Sequence, residues 1–418
     1  MTSASIVLIK ISDAKVRIIS GLATLKGKDM SKLDELIQQY CPDGVEWKAL
    51  GEVCDIHKGV QFNKTDMKEV GTYPVINGGI NPSGYAEVFN EDKNTITISQ
   101  GGASAGYVNF LKNKFWLGAH CYAVIPYDTV LNKYLYHFIK MNEITLQQCQ
   151  YGAGIPALAK STISALEIPV PPIPVQEEIV RILDNFTELQ AELQAELQKR
   201  KQQYNFYRDN LLSFKDINRG GQEIKWMKLS DIASFTYGYT SKSQDSGNVR
   251  YIRITDITDE GQLNPKNGKY ISLTKDVRPY LLHRGDLIMA RTGATYGKTL
   301  YYNEDYPSAY ASFLIKITLN QSVDSKYYWH FTRSSIYWGQ ANRLVGGGAQ
   351  PQFNTGAISQ VKIPLPSIEE QQRIADILDR FDTLTNDLSS GLPAEMEKRR
   401  QQYEYYRDKL LTFKRKEA

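Results

Sequence analysis

A chain of 418 residues that is 42% apolar can bury two hydrophobic cores of ordinary size. Its formal net charge is only +4, so bulk charge does not announce a polyanionic partner, and any basic face has to come from the distribution of charge. Cys41, Cys54, Cys121 and Cys149 form no C-x-x-C pair, which argues against a paired-cysteine metal or redox motif and reads as reduced, partly buried thiols of a cytoplasmic protein.

In chain order, the stretch from Ile6 to Leu25 is broken by Lys10, Asp13, Lys15 and Arg17, too polar to span a bilayer and lacking the apolar run of a signal peptide. A helix-like pattern begins at Met30, so residues 1–30 read as a poorly ordered extension. Residues 31–168 form a first globular domain, with a strand-like run at Thr95-Ile96-Thr97-Ile98 and a helical stretch from Lys133 to Ile139. Over residues 169–215 a Pro-rich lead-in, Pro169 to Pro174, precedes a long helix whose apolar positions step through Ile182, Phe186, Leu189, Leu193, Leu197, Tyr204 and Leu211, with Tyr207 and Phe214 between. Steps of three, four and seven mark a coiled-coil seam. A second domain, residues 216–363, carries strand-like Tyr251-Ile252-Arg253-Ile254 and Leu287-Ile288-Met289-Ala290. Residues 364–418 repeat the lead-in at Pro364 to Pro366 and the seam at Ile374, Ile377, Phe381, Leu384, Leu388, Met396, Tyr403 and Leu410. Ser389-Ser390-Gly391-Leu392-Pro393 should interrupt this helix, with Pro393 opening a new one.

The two helical segments are near copies. Gln202-Gln203-Tyr204-Asn205-Phe206-Tyr207-Arg208-Asp209-Asn210-Leu211-Leu212-Ser213-Phe214-Lys215 returns 199 residues later as Gln401 to Lys414, with ten of fourteen positions identical. Ile168-Pro169-Val170-Pro171 and Ile182-Leu183-Asp184-Asn185-Phe186 return 195 residues later. The domains between match more faintly: Trp47, Leu50, Val53 and Gly59 align with Trp226, Leu229, Ile232 and Gly238, and Gly102 to Gly106 resembles Gly293 to Gly297. So long a period is a duplicated domain rather than a solenoid. Shared scaffold with divergent inserts suggests two modules doing one job on different targets. Burying both seams against each other predicts an α+β protein with two globular domains separated by a long antiparallel two-helix coiled coil. The arrangement would be pseudo-twofold and quasi-circular, with the chain ends meeting near the first domain.

A search for catalytic sets finds none. Gly293-Ala294-Thr295-Tyr296-Gly297-Lys298-Thr299 has three residues between its glycines where a P-loop needs four, and its counterpart at Gly102 lacks the Lys and Thr. A shared tight turn explains both. Asp43, Glu46 and Lys48 are too close in sequence for a nuclease metal set, and Asn81-Pro82-Ser83-Gly84-Tyr85 departs from the methyltransferase N-P-P-Y. His57, His120, His137, His283 and His330 form no metal-binding pair, and His137 and His330 occupy equivalent positions that suit buried structural residues. The domain loops are rich in Lys, Arg, Gln, Asn, Ser, Thr and Tyr, side chains that contact phosphates and base edges but also furnish ordinary solvated loops.

The domain order, the repeated lead-in followed by Gln176-Glu177-Glu178-Ile179-Val180-Arg181-Ile182-Leu183-Asp184 and by Gln371-Gln372-Arg373-Ile374-Ala375-Asp376-Ile377-Leu378-Asp379, and the repeated Gln-Gln-Tyr block together resemble the specificity subunit of a type I restriction-modification system. The resemblance covers residues 30–418. It implies a non-catalytic, DNA-binding subunit with two target-recognition domains, each reading one half of a split asymmetric site. The implied partners are double-stranded DNA, two modification subunits that use S-adenosylmethionine to methylate adenine, and restriction subunits that use ATP and Mg; this chain itself is expected to hold no cofactor or metal. Base contacts are then expected from Gln61, Asn63, Asn77, Gln100 and His120 in the first domain, and from Arg253, Arg291, Thr295, Tyr296 and Gln350 in the second. Phosphate contacts are expected from Lys58, Lys64, Lys112, Lys114, Lys160, Lys242, Arg250 and Lys298. Tyr204, Tyr207, Tyr403 and Tyr406 exceed the needs of a two-helix seam and read as partner-binding. The nearby basic band, Lys199-Arg200-Lys201 and Lys398-Arg399-Arg400, fits either the DNA backbone or modification-subunit helices. Alternatives are a coiled-coil scaffold, a specificity subunit of a methyltransferase system without restriction subunits, and a self-contained nuclease or methyltransferase, for which the motifs are missing.

Overall fold

A computed structural model describes residues 25–152, 154, 156–214, 224–346, 351–387 and 390–417, with side chains from Lys32 onward. The chain runs α1 (Leu25–Tyr40), β1 (Glu46–Ala49), α2 (Leu50–Val53), β2 (Cys54–Lys58), β3 (Tyr73–Ile76), β4 (Gly84–Ala86), β5 (Thr95–Ser99), β6 (Val108–Leu111), β7 (Trp116–Leu117), β8 (Cys121–Pro126), α3 (Asn132–Met141), α4 (Glu143–Gln148), α5 (Lys160–Ser164) and β9 (Glu167–Val170). The long helix α6 (Ile173–Ser213) follows. The series then repeats as β10 (Lys225–Lys228), α7 (Leu229–Ile232), β11 (Ala233–Tyr237), β12 (Val249–Ile252), β13 (Tyr270–Ile271), β14 (Leu287–Ala290), β15 (Thr299–Tyr301), β16 (Ser308–Tyr310), β17 (Leu314–Leu319), α8 (Ser325–Thr332), α9 (Ser335–Leu344), α10 (Thr355–Ile358) and β18 (Lys362–Leu365). Two helices close the chain, α11 (Ile368–Asn386) and α12 (Leu392–Leu410).

Two compact units emerge, and they cut across the expected domain boundaries. One takes the chain up to Glu192 and from Met396 onward; the other takes Leu193–Glu395. Each therefore combines a globular domain with part of α6 and one of the two closing helices. Besides separating the two globular domains, the helices pack into the units' apolar interior. In the first unit Ile179, Leu183, Phe186, Tyr403, Leu410 and Leu411 join one apolar cluster with the globular residues Tyr134, Leu135 and Phe138.

The units share one topology. The first holds a four-stranded antiparallel sheet ordered β2-β8-β5-β6, a three-stranded sheet β4-β3-β7 and a pair β1-β9; the second holds β11-β17-β14-β15, β13-β12-β16 and β10-β18. In each three-stranded sheet the middle strand has one parallel neighbour, β3 with β7 and β12 with β16. β5 is buried at every position, as the alternating Thr and Ile of an interior strand allow. Gly59 and Gly238 align because neither can carry a side chain. A Cβ on Gly59 would lie 2.4 Å from the Leu117 and Gly118 oxygens, and one on Gly238 would lie 2.2 Å from the Ala311 oxygen.

α6 contains no glycine, and its one proline is the second residue, so strong helix formers carry it for 41 residues. Most seam positions are buried, but Leu211 is only partly so, and its neighbour Leu212 is fully buried, as is Leu411 in the second copy. In the first unit α6 and α12 are antiparallel. Arg415, beyond the end of α12, pairs with Glu167 on β9, just before α6 begins, while Tyr406 stacks on Phe186 further along at 5.4 Å. In the second unit Tyr207 stacks on Phe381 at 5.7 Å, and Lys201 and Asn205 share a crevice with Thr385 and Asn386, again an antiparallel run. The interruption falls as expected between α11 and α12. Gly391 fits there because a Cβ would come 2.5 Å from the Thr383 oxygen. Leu388 and Ser389 lie outside the described residues.

The C-terminal segment returns to the first unit, where Val45 donates to Lys414 O and accepts from Lys416 N, both at 2.9 Å. This agrees with the expectation for the C-terminal end. The expected extension fares differently: residues 1–24 lie outside the description, and α1 begins at Leu25, five residues before Met30.

Candidate nucleic-acid interface

Four strand ends converge at one corner of each unit. In the first, β2 ends at Lys58, β3 leads into Asn77, β5 leads into Gln100, and His120 precedes β8. Backbone bonds hold them: Gln100 N–H donates to His120 O at 2.9 Å, Gly118 N–H to Ile76 O at 2.8 Å, and Leu158 N–H to Gln100 O at 2.7 Å. Asn77 Oδ1 accepts from His120 N–H at 3.1 Å. In the second unit the same bonds recur as Arg291 N–H to Phe313 O at 3.1 Å, Ala311 N–H to Ile252 O at 2.9 Å, and Phe353 N–H to Arg291 O at 2.7 Å. The corner there carries Tyr237, Arg253, Arg291 and Phe313. One backbone frame thus presents Lys, Asn, Gln and His in one unit and Tyr, Arg, Arg and Phe in the other. Beside each corner a short turn runs between two glycines at positive φ, Gly102 and Gly106 at 76° and 85°, Gly293 and Gly297 at 67° and 79°. These are the shared tight turns read in place of a phosphate loop.

The expected contact residues divide by their surroundings. Lys58, Asn77, Gln100 and His120 meet at the first corner, and Arg253 and Arg291 at the second. Gln100 Oε1 is buried without a partner among the described residues. Gln61, Asn63 and Lys64 lie in the loop after β2, where Gln61 donates to Phe62 O and Asn63 to Asp66. Lys112 and Lys114 sit between β6 and β7, away from the corner, with Lys114 paired to Asp92 at 3.2 Å. Lys160 opens α5, and Lys242 is exposed after β11. Several cations are already engaged: Arg250 donates to Asn264 O, Arg253 grips Asp256 at 2.8 and 3.1 Å, and Lys298 pairs with Asp259. Thr295 donates to Thr292 O and Tyr296 to Asn342, so both brace the turn. Gln350 lies outside the described residues. Sequence reasoning passed over Tyr237 and Phe313. The first stands 179 residues from Lys58, the same displacement that relates Gly59 to Gly238, so the signal was present.

Arg291 differs from the other candidate cations. Its guanidinium carbon lies 5.3 Å from the Tyr237 ring centre and 5.4 Å from that of Phe313, and its Nε donates to Ser312 O at 3.1 Å. Among the described residues no carboxylate pairs with it.

A second repeated constellation joins each domain to its helices. His330 Nε2 donates to Asp379 at 2.9 Å, and its Nδ1 accepts from the Tyr204 hydroxyl at 3.1 Å. His137 makes the same pair of contacts, with Asp184 at 3.3 Å and Tyr403 at 3.0 Å. Lys326 and Lys133 add ion pairs to the two carboxylates. Burial alone would raise the Asp184 and Asp379 pKa values, but hydrogen bonds from the His and Lys partners outweigh it and hold both below the usual carboxylate value. That keeps the carboxylates ionised and fixes the imidazole tautomer. Burial lowers the His330 pKa. Gln176 and Gln371 complete the joint: each is fully buried and bridges the lead-in to the globular domain, accepting from Leu131 N–H at 2.8 Å and Asp324 N–H at 2.9 Å.

Tyr204 and Tyr403, expected to face a partner, are therefore internal: 3% and 9% exposed, with their hydroxyls spent on histidines. Tyr207 and Tyr406 stack inside their units on Phe381 and Phe186. The aromatics that do face outward are Phe206 and Tyr405, one position earlier in each copy, at 62% and 63% exposed. The basic band is divided: Arg200 and Arg399 are buried, while Lys199, Lys398 and Arg400 are exposed. Arg200 bonds Glu196 and Gln203, Lys201 pairs with Glu260, Arg399 bonds Gln402, and Arg400 pairs with Glu397 and Glu404. Among the described residues no group of three or more His, Cys, Asp or Glu side chains is placed to hold a metal ion, and no helix is long and apolar enough to cross a membrane.

A duplicated α+β module, with one backbone corner bearing two different sets of polar and aromatic groups, defines a two-domain recognition protein built around a long helix. The chain belongs to the type I restriction modification DNA specificity family, whose model matches residues 42–200 and 222–398. It is 31% identical over 390 residues to a Haemophilus influenzae protein assigned as a type I restriction enzyme specificity subunit, across 88% of this chain and 96% of that one. It is 32% identical over 424 residues to a type I restriction enzyme specificity subunit of Escherichia coli, covering 93% and 99%. In fold it resembles the crystal structure of the type I restriction-modification S subunit from M. genitalium, with a TM-score of 0.58 at 18% identity over 88% and 96% of the two chains.

Proposed function

We propose that this chain reads a bipartite, asymmetric DNA site, one half with each unit, and directs adenine methylation and restriction carried out by partner subunits. The observation that carries this reading is the repeated corner. An identical backbone frame with different side chains is what two readers of different half-sites require, because base edges in the major groove are distinguished by donor and acceptor pattern. The modification subunits would bring S-adenosylmethionine and the restriction subunits ATP and Mg; the residues of this chain bind and orient the DNA. Partner docking is assigned to the outward helix faces around Phe206 and Tyr405, since Arg200, Lys201 and Arg400 of the basic band are neutralised by carboxylates of their own units.

The test is methyl transfer to DNA by this chain alone, by its modification subunits alone and by the mixture, followed by sequencing of the modified sites. Only the mixture should methylate, at a split sequence with two unlike halves. Methyl transfer by the pure chain, or a single uninterrupted site, would overturn the proposal.

A further inference from the structure

We infer that Arg291 is the residue through which the second unit reads a guanine; this rests on the proposed DNA-reading function and names the base that its corner recognises. A guanidinium matches guanine in the major groove by donating two parallel hydrogen bonds to O6 and N7, and it does so best when held flat and free of a carboxylate. Arg291 meets these conditions. The Tyr237 and Phe313 rings lie within cation–π distance of its guanidinium, and the Nε–H is fixed on Ser312 O. That leaves the two terminal nitrogens as an unspent fork among the described residues. Both flanking rings are themselves about half exposed, at 43% and 52%, so the group lies at the surface of its unit. Arg253 at the same corner is by contrast already bidentate to Asp256. A phosphate contact needs charge alone, which a lysine supplies; the two-ring cradle and the anchored Nε add planar orientation, the property that base reading requires.

The experiment uses the full chain assembled with its modification subunits, on duplexes carrying the methylated sequence found by sequencing. Each guanine of both half-sites is replaced in turn by 7-deazaguanine, which lacks the N7 acceptor. With the natural chain, one guanine position should cost about tenfold to a hundredfold in affinity. In Arg291→Ala the penalty at that position should vanish, and the methylated sites should become degenerate there. Arg291→Lys keeps the charge and covers the event that the alanine variant folds poorly; it should also lose the preference, because lysine cannot form the fork. If the penalty persists in both variants, or the half-site assigned to this unit contains no guanine, the inference is wrong. If Arg291→Ala weakens binding equally to all sequences and lowers the salt slope by about one, Arg291 is a phosphate contact and the inference is again wrong. Absence of sequence preference in the natural complex would instead refute the proposed function.

Discussion

At the scale of single residues, the helix–domain joint makes the clearest demand. Tyr204→Phe removes one buried hydrogen bond to His330 and should lower the stability of the second unit by about 1 kcal/mol; calorimetry of the variant beside the natural chain checks this. His330 also sets a pH dependence. Its pKa in the folded chain is lowered by burial, so below the ordinary histidine value of about 6.5 the unfolded chain binds the extra proton. Stability from this group is full above that value and is lost as pH falls toward the folded pKa. His57 has the opposite sign: burial lowers its pKa, but the hydrogen bonds its ring donates to Glu91 and Asp55 outweigh that and raise it. Its contribution is therefore full below about pH 6.5 and fades as pH rises through the folded value. Acidification from about pH 7.5 to about pH 5.5 should lower the unfolding temperature of the second unit, and His330→Gln should reduce that drop. An undiminished drop in the variant would place the titration elsewhere. The buried histidines were legible in the sequence because the repeat placed them together. The corner was legible only in part: Lys58, Asn77, Gln100 and His120 are far apart along the chain and meet through strand register, which residue type alone does not reveal. Phe313 was missed because an aromatic ring in a loop carries no signal until an arginine is found beside it, and Tyr237, at the end of β11, was missed although its displacement from Lys58 matched that of the aligned glycines.

At the scale of elements, the seam periodicity identified the helices and glycine with proline located the break between α11 and α12. What periodicity could not distinguish was a seam facing another helix from one facing a globular domain. Tyr204 and Tyr403 look surplus to a two-helix contact because their positions are filled by the domain's histidines instead. Their displaced neighbours give a prediction: Phe206→Ala and Tyr405→Ala should each weaken assembly with modification subunits, since large exposed aromatics commonly anchor interfaces, while leaving thermal unfolding of the isolated chain nearly unchanged. Sedimentation with the modification subunit measures it; unimpaired assembly of the double variant would move docking to another face. A further prediction concerns Leu189 to Leu197, where Leu-Gln-Ala-Glu occurs twice in tandem. The division between the units falls between those copies, at Glu192 and Leu193. Inserting one more copy preserves the seam, adds about 6 Å of helix and turns it about 40° beyond one full turn. DNA rises about 3.4 Å per base pair and turns about 34–36°, so the unread gap should lengthen by about one to two base pairs with both half-sites unchanged. An unchanged gap in the methylated sites of a fully active variant would show that α6 does not measure DNA.

At the scale of the whole molecule, duplication makes the two readings separable. Each compact unit holds its own corner, core and joint, so the chemistry of one corner does not depend on the side chains of the other. Replacing residues 46–168 with the equivalent domain of a relative should therefore change one half of the methylated sequence and leave the other half intact. The structure adds a condition that divergent loops alone would not suggest. Lys133, Tyr134 and His137 lie inside the exchanged segment, yet they bond Asp184, the Pro169 carbonyl and Tyr403, all of which lie outside it. A donor that keeps these three residues retains the joint. One that lacks the histidine leaves the Tyr403 hydroxyl without its buried partner, at a cost of about 1–3 kcal/mol, and should fold less stably without altering which bases are read. Exchange with two donors, one matched at the joint and one not, separates the effects: both chimaeras should methylate the donor's half-site, and the mismatched one should unfold at lower temperature. A change in both halves of the site with the matched donor would mean that the units do not read independently.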